Sequence, residues 1–384
     1  MKKKTDIQLA SRDACTGCAA CASVCPTNSI TMCEDKEGFL QPHIDAGTCI
    51  NCHKCEKTCP IVSPLIIPTN FDTQAYAAIN KDEAVRMRSS SGGMFHALAK
   101  WTIEQGGVVF GARFNEQWEV VHDYTETLEG IEPFMRSKYV QSRIGDTFKQ
   151  AKQFLEQGRW VLYSGTPCQI GGLKSYLHKD YDNLLTVDLI CLGVPSPKVW
   201  RSYLKWLKKN DLVLDVNFRD KKNGWQDYHQ LIKTSNKTIH ENKVKNPYLR
   251  GFLQNVYLRR SCYDCLFKTK HRLSDITLAD AWGIQNFLPD MHDDRGTSLV
   301  LIHSELGKSI LSKRTELITK SVAIGTTLPY NIFATQSATC PKRRSAFLAA
   351  FKLGGFRLAA SYINKDLICV RIMRKLRKIV KKIL

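Results

Sequence analysis

At 384 residues, with 43% hydrophobic and 24% charged residues, the chain has the composition of a globular protein large enough for a small module plus a sizeable α/β domain. No run of about 18 apolar residues occurs, so no membrane-spanning helix is predicted, and the start Met1–Ile7 lacks the apolar segment of an export signal. The formal net charge of +20 is unevenly spread: residues 1–70 hold seven Lys/Arg against seven Asp/Glu, whereas residues 340–384 hold thirteen Lys/Arg against Asp366 alone. A body-wide nucleic-acid surface is therefore not expected.

The first element is a repeat. Cys15, Cys18, Cys21, Cys25 and Pro26 recur as Cys49, Cys52, Cys55, Cys59 and Pro60. Both halves spell CxxCxxCxxxCP, the bacterial ferredoxin run, in which the fourth cysteine of each half ligates the other half's cluster. Two-residue gaps let three thiolates converge on one cuboid, and the longer gap followed by proline turns the fourth away. One [4Fe-4S] cluster is thus assigned to Cys15, Cys18, Cys21 and Cys59, and a second to Cys49, Cys52, Cys55 and Cys25. Zinc knuckles pair CxxC units at longer separation, and a disulfide scaffold needs an oxidising compartment. With fifteen cysteines and no export signal, the expected location is the cytoplasm. Cys33 matches nothing in the second half and reads as a buried thiol.

Prolines 60, 64 and 68 mark a stiff linker over 61–68. Beyond it, strand-like runs (Gly107–Phe114, Trp118–Tyr124, Arg159–Tyr163, Leu184–Ile190, Leu212–Phe218, Ile276–Ala279, Leu299–His303) alternate with helical periods (Met94–Thr102, Thr147–Gln157, Gln169–His178, Pro197–Lys209, Glu305–Lys313). Such alternation predicts βαβ units in a parallel or mixed sheet. The fold class is therefore an α+β ferredoxin-like module over 1–62, then an α/β domain in two parts, 70–150 and 151–340, and a basic helical tail over 345–384.

Cys168 and Cys191 each follow a predicted strand, at the edge where α/β sheets collect ligands. Cys262 and Cys265 form a CxxC pair. Together they match the ligand count of a third [4Fe-4S] cluster; core thiols with a redox pair or half a zinc site are the alternative. Ser89-Ser90-Ser91-Gly92-Gly93 before a helix is either an anion cradle for a pyrophosphate or an ordinary N-cap with a flexible lead-in. Asp280 is otherwise a strand-end turn residue. The ten histidines are scattered, and no Ser-His-Asp set, Walker loop or dinucleotide GxGxxG appears.

The segments Arg88–Gly93, Ser137–Ser142, Gly165–Gln169, Cys262–Cys265 and Asp275–Gly283, in that order, resemble the coenzyme F-420 hydrogenase/dehydrogenase beta-subunit family over roughly residues 70–320. The resemblance implies FAD beside a [4Fe-4S] cluster held by Cys168, Cys191, Cys262 and Cys265. It further implies flavin contacts from Ser89, Ser90, Ser91, Gly92, Gly93, Lys138, Gln141, Thr166 and Asp280. Cys191 is followed by Leu192-Gly193 where a more polar family pattern is expected. Two functions agree with this: a flavin-dependent iron–sulfur oxidoreductase with a small-molecule substrate, fed by a redox partner protein or reduced cofactor, or an electron-transfer subunit with no substrate of its own. Family association points the first toward surface-polysaccharide biosynthesis.

Residues 368–384 place Ile372, Met373, Leu376, Ile379, Val380 and Ile383 at three- and four-residue steps among Lys and Arg. This basic amphipathic C-terminal helix suits peripheral contact with an anionic membrane at its inner face. An acidic partner, nucleic acid, or packing on the body are the alternatives. The stretch has no aromatic residue to stack on bases, so no nucleic acid is expected.

Overall fold

The computed structural model describes residues 5–383, with side chains described as far as Ile363. The N-terminal module repeats its backbone as well as its sequence. Left-handed Gly17 (φ 70°) and Ala19 (φ 62°) in the first half correspond to Asn51 (φ 53°) and His53 (φ 56°) in the second. Each pair opens a one-turn helix, Ala20–Val24 and Lys54–Thr58. Between the halves, β1 (Ile30–Glu34) and β2 (Leu40–Ile44) form an antiparallel hairpin. Cys33, expected to be buried, is exposed. Strand alternation turns Ile30 and Met32 inward and leaves Cys33 on the solvent face.

The rest of the chain supplies β3 (Gln74–Asn80), β4 (Val108–Phe114), β5 (Val120–Thr125), β6 (Val161–Ser164), β7 (Leu184–Leu189), β8 (Val213–Asp220), β9 (His229–Thr234), β10 (Thr238–Asn242), β11 (Ile276–Asp280), β12 (Ser298–Ile302) and β13 (Leu317–Val322). Eight of these form one sheet in the order β13-β3-β12-β11-β7-β6-β4-β5. The four central strands, β11, β7, β6 and β4, run parallel, and the flanking pairs are antiparallel. The mixed sheet is the expected one. It draws strands from both 70–150 and 151–340: β3 lies between β12 and β13, and β4 beside β6. Leu212–Phe218 does form a strand, β8, but it pairs with β9, the next strand in the chain, in a separate three-stranded sheet, the two joined by residues 221–228.

Alternation along the parallel strands builds two cores. Val109, Leu162, Leu185 and Ile276 face one way with the helix Met94–Glu104. Val108, Phe110, Val161 and Tyr163 face the other, against the helices Thr147–Glu156 and Pro167–Leu177. A third core joins Trp200, Tyr203 and Phe218 to Tyr248 and Phe347.

The last helix, Arg344–Ile383, is broken at Gly354 and Gly355 (φ 62°). The segment Arg344–Ile363 is long and apolar enough to cross a membrane by length and composition alone. In the fold it buries Phe347, Phe356, Ala359 and Ile363 in the third core. The segment 345–384, expected as a tail, therefore begins as a core element. The amphipathic stretch 368–384 lies outside the described side chains.

Candidate functional site

In the N-terminal module the eight cysteines fall into two sets, and the free thiols stand in the positions of thiolate ligands. Cys59 lies within electrostatic reach of Cys18 and Cys21, beside Cys15. Cys25, from the first half, lies within reach of Cys55 in the second. The fourth cysteine of each half thus lies near cysteines of the other half. Burial pushes the Cys18 thiol up to about 11, with the neighbouring Cys15 and Cys59 adding to the shift. Burial likewise pushes Cys55 up to about 11. Buried thiols packed against one another are poor thiolates until a cationic centre compensates their charge. The residues present therefore fit iron–sulfur clusters.

The second concentration of thiols lies at the carboxyl edge of the parallel strands. Cys168 sits in the first turn of the helix that follows β6, Cys191 two residues beyond β7, and Cys262 and Cys265 on and after the turn Arg260–Tyr263. The four lie within electrostatic reach of one another. Burial pushes Cys262 up to about 12, with Cys191 next in effect. The Thr166 hydroxyl is 3.2 Å from Cys168 Sγ, and Val194 N–H donates to Cys262 Sγ at 3.4 Å. Lys268 donates to the carbonyls of Cys191 and Phe333, bringing a cation beneath the set. Gly193 explains the unexpected Leu192-Gly193. It holds φ 152°, and a Cβ there would stand 3.1 Å from the Cβ of Cys262. Among the described residues no three His, Cys, Asp or Glu side chains close on a single metal ion. A cubane, with one thiolate on each iron, asks for a wider spread.

The two concentrations of thiols are locked together. Gly172, on the helix that carries Cys168, admits Cys18: a Cβ there would stand 2.8 Å from Cys18 Cβ and 3.0 Å from its sulfur. Arg259, 1% exposed, donates through Nε to Cys15 O at 2.7 Å and through Nη2 to Leu40 O at 2.9 Å. Nη2 is also 3.5 Å from Cys15 Sγ, and the same side chain is within electrostatic reach of Cys262. One guanidinium thus stands between the first thiol set and the third. Left-handed Gly17 leaves room for it. Glu37 completes the clamp, accepting from Arg260 and Arg344.

Beside the third set, a polar and aromatic wall gathers segments distant in sequence. Asp280, at the end of β11, pairs with Arg219 and accepts from Trp225 Nε1 at 3.0 Å. Trp225 and Trp282 stack at 4.8 Å. The Arg219 guanidinium lies 4.4 Å over Tyr228 and 5.2 Å over Trp282. Tyr139 stands next to it and to Ser137, and Ser137 donates to Ser90 Oγ through its backbone N–H at 2.8 Å. The expected segments 88–93, 137–142 and 280–283 do come together here.

Several individual expectations are corrected. Ser89 Oγ donates to Val85 O and Ser91 Oγ to Thr297 O, both at 2.8 Å, so these hydroxyls are spent on the fold. Gly92 lies against Ala78 O and Ser298, where a side chain would collide, and Gly93 (φ 89°) caps the helix. No side chain caps this helix start, and of the three serines Ser90 is the one that reaches Ser137 at the wall. Lys138 turns its ammonium onto the carbonyls of Pro133 and Met135 at 2.7 and 2.5 Å, and burial brings it down to about 7. Gln141 donates to Thr16 O at 2.9 Å and accepts from Arg259 at 3.0 Å. It belongs to the docking of the N-terminal module rather than to a flavin contact. Thr166 keeps its place beside Cys168. Arg219, Arg259, Gly172 and Lys268 were not legible as site residues, because isolated Arg, Lys and Gly carry no local pattern.

Two parts of the chain match known families. Residues 14–62 match the family model described as 4Fe-4S dicluster domain. Residues 158–322 match the model for the C terminus of the coenzyme F420 hydrogenase/dehydrogenase beta subunit. No curated protein matches the chain. Among solved structures, a chain of the F420-reducing [NiFe] hydrogenase complex from Methanosarcina barkeri, solved as a xenon derivative, is similar at 17% identity. The match covers 76% of this chain and 97% of that one, with a TM-score of 0.49. The chain thus pairs a stretch similar to 4Fe-4S dicluster domains, residues 14–62, with a stretch similar to the C terminus of the coenzyme F420 hydrogenase/dehydrogenase beta subunit, residues 158–322.

Proposed function

We propose that the chain is an iron–sulfur flavoprotein oxidoreductase. Cys15, Cys18, Cys21 and Cys59 hold one [4Fe-4S] cluster, and Cys49, Cys52, Cys55 and Cys25 a second. Cys168, Cys191, Cys262 and Cys265 hold a third, next to FAD at the carboxyl edge of the sheet. The flavin fits the wall around Arg219, where ring faces from Tyr228 and Trp282 flank a buried guanidinium with two unpartnered donors, Nε and Nη2. When bound, FAD would exchange electron pairs with a small substrate and single electrons with the clusters. Arg219 would orient it, with Ser90 and Tyr139 alongside.

The observation that carries the reading is Arg259, buried between Cys15 and Cys262. It brings the dicluster module against the third thiol set, as internal electron transfer requires. Anaerobic purification with iron, sulfide and flavin quantitation tests it. About twelve iron and one FAD per chain are expected. Eight iron without flavin would leave only the dicluster module.

A second reading, an electron-transfer subunit serving a partner enzyme, is favoured by the family description, which is that of a subunit. Reduction of artificial acceptors without turnover of any carbohydrate or nicotinamide would select it. The basic stretch 368–384 is proposed as a peripheral membrane contact on the cytoplasmic side.

A further inference from the structure

We propose that Arg219 receives the negative charge of the reduced ring in the flavin site, binding its anionic nitrogen–carbonyl edge through Nε and Nη2. This rests on the flavin reading above and deepens it.

Arg219 is 4% exposed; the Tyr139 hydroxyl stands beside its guanidinium, but among the described residues neither Nε nor Nη2 meets an acceptor in hydrogen-bond geometry. A buried donor left unmade costs about 1–3 kcal/mol, and more when charged. Native proteins rarely keep such groups without a ligand or water to meet them. The one carboxylate at hand does not supply the missing acceptors. Asp280 engages Nη1, and its other oxygen is held by Trp225 Nε1, so it is not free to swing toward Nε.

The guanidinium lies over the rings of Tyr228 and Trp282. Its N–H groups lie in its own plane, so the unpartnered donors leave the side chain edgewise. Two N–H groups in that plane match two adjacent acceptors on a planar ligand better than they match a tetrahedral group. Lys221 is the other buried cation nearby, and its ammonium is saturated by the carbonyls of Arg86, Ser91 and Arg295 at 2.6, 3.1 and 2.7 Å. Arg219 is thus the cation with donors to give.

The chemistry calls for such a group. When two electrons arrive from the clusters and one proton enters the flavin ring, the ring's second reducible nitrogen stays unprotonated. The added negative charge spreads over that nitrogen and the neighbouring carbonyl. A permanently protonated guanidinium at this edge stabilises the reduced ring without itself giving up a proton. Arg219 acts here as a ligand-binding residue that sets the flavin's potential.

The test uses the full chain, reconstituted anaerobically with iron, sulfide and FAD. The wild type is compared with Arg219→Lys and with the double variant Arg219→Met/Asp280→Asn, which removes both charges and leaves no unpaired ion. Flavin content is measured first, then a redox titration is followed at the flavin absorbance. In the double variant the two-electron reduction constant is expected to fall at least tenfold, about 30 mV, with Arg219→Lys in between and FAD still bound. Equal potentials in flavin-loaded wild type and double variant would overturn the role of Arg219 and leave the flavin reading intact. A wild type that takes up iron but no FAD would overturn both.

Discussion

Gly172 and His122 show how single residues control this molecule. Gly172 has Cys18 where its side chain would be, so Gly172→Val forces apart the dicluster module and the helix that carries Cys168. A cost of about 1–3 kcal/mol is expected from overpacking, read as a lower thermal midpoint with lower iron content. A variant as stable as the wild type would show that this contact is slack. His122 is 6% exposed and keeps Nε2 at 3.0 Å from Ser164 O. Burial, chiefly, lowers its pKa to about 4. The unfolded chain, with an ordinary imidazole near 6.5, binds the proton first as pH falls. This residue's contribution is therefore fully present above about pH 6.5 and is lost as pH falls toward 4, by up to about 3 kcal/mol. His122→Gln should flatten the stability profile in that window; an unchanged slope in denaturant titrations at pH 7, 5.5 and 4.5 would contradict it.

At the scale of elements, the start of the helix Pro167–Leu177 is tied twice by one side chain. Gln169, 4% exposed, accepts from Thr166 N–H at 2.9 Å and donates to Ser142 Oγ at 2.8 Å. It joins the turn that presents Cys168 to the segment 137–142. Gln169→Leu keeps the volume and removes these bonds together with the one from the Thr166 hydroxyl at 3.1 Å, leaving polar groups unmade at about 1–3 kcal/mol. Loss of about four iron per chain, with the dicluster iron retained, is the expected result. Full iron content would mean that the strand end alone holds Cys168 in place. The strands and helices that bear the thiols were legible within a residue or two, because hydrophobic periodicity is strong in buried parallel strands. β3 and β13 were not: β3 reads Gln-Ala-Tyr-Ala-Ala-Ile-Asn and β13 Leu-Ile-Thr-Lys-Ser-Val, runs with few large apolar residues whose place is decided by pairing with each other and β12.

For the whole molecule, Glu37 is the hinge of assembly. It lies in the β1–β2 turn of the dicluster module and meets Arg260 beside the CxxC pair and Arg344 at the head of the last helix. Arg344 and Glu37 are both buried, and hydrogen bonds from Arg344 and Arg260 hold the carboxyl below its usual range against the opposing effect of burial. Removing one partner of such a pair typically costs about 3 kcal/mol or more. Glu37→Gln should therefore loosen the module and raise proteolysis in the linker 61–68, with iron content unchanged at low temperature. Cleavage at the wild-type rate would show that the other contacts, those of Arg259 and Gln141 among them, hold the module without Glu37.

The dicluster module was legible from the chain alone, since cysteine spacing within a short loop is local chemistry and the pattern occurs twice. The alternation of strands and helices also followed from the sequence, because burial imposes periods of 2 and 3.6. What required the tertiary structure was every relation between distant residues. Gly193 makes room for Cys262, Gln141 serves docking rather than a ligand, and Arg259 joins Cys15 to the neighbourhood of Cys262. Arg219 is left with two donors and no acceptor. These depend on which side chains the sheet order brings to one edge and which hydrogen bonds are already taken there, and neither is encoded in any local stretch of sequence.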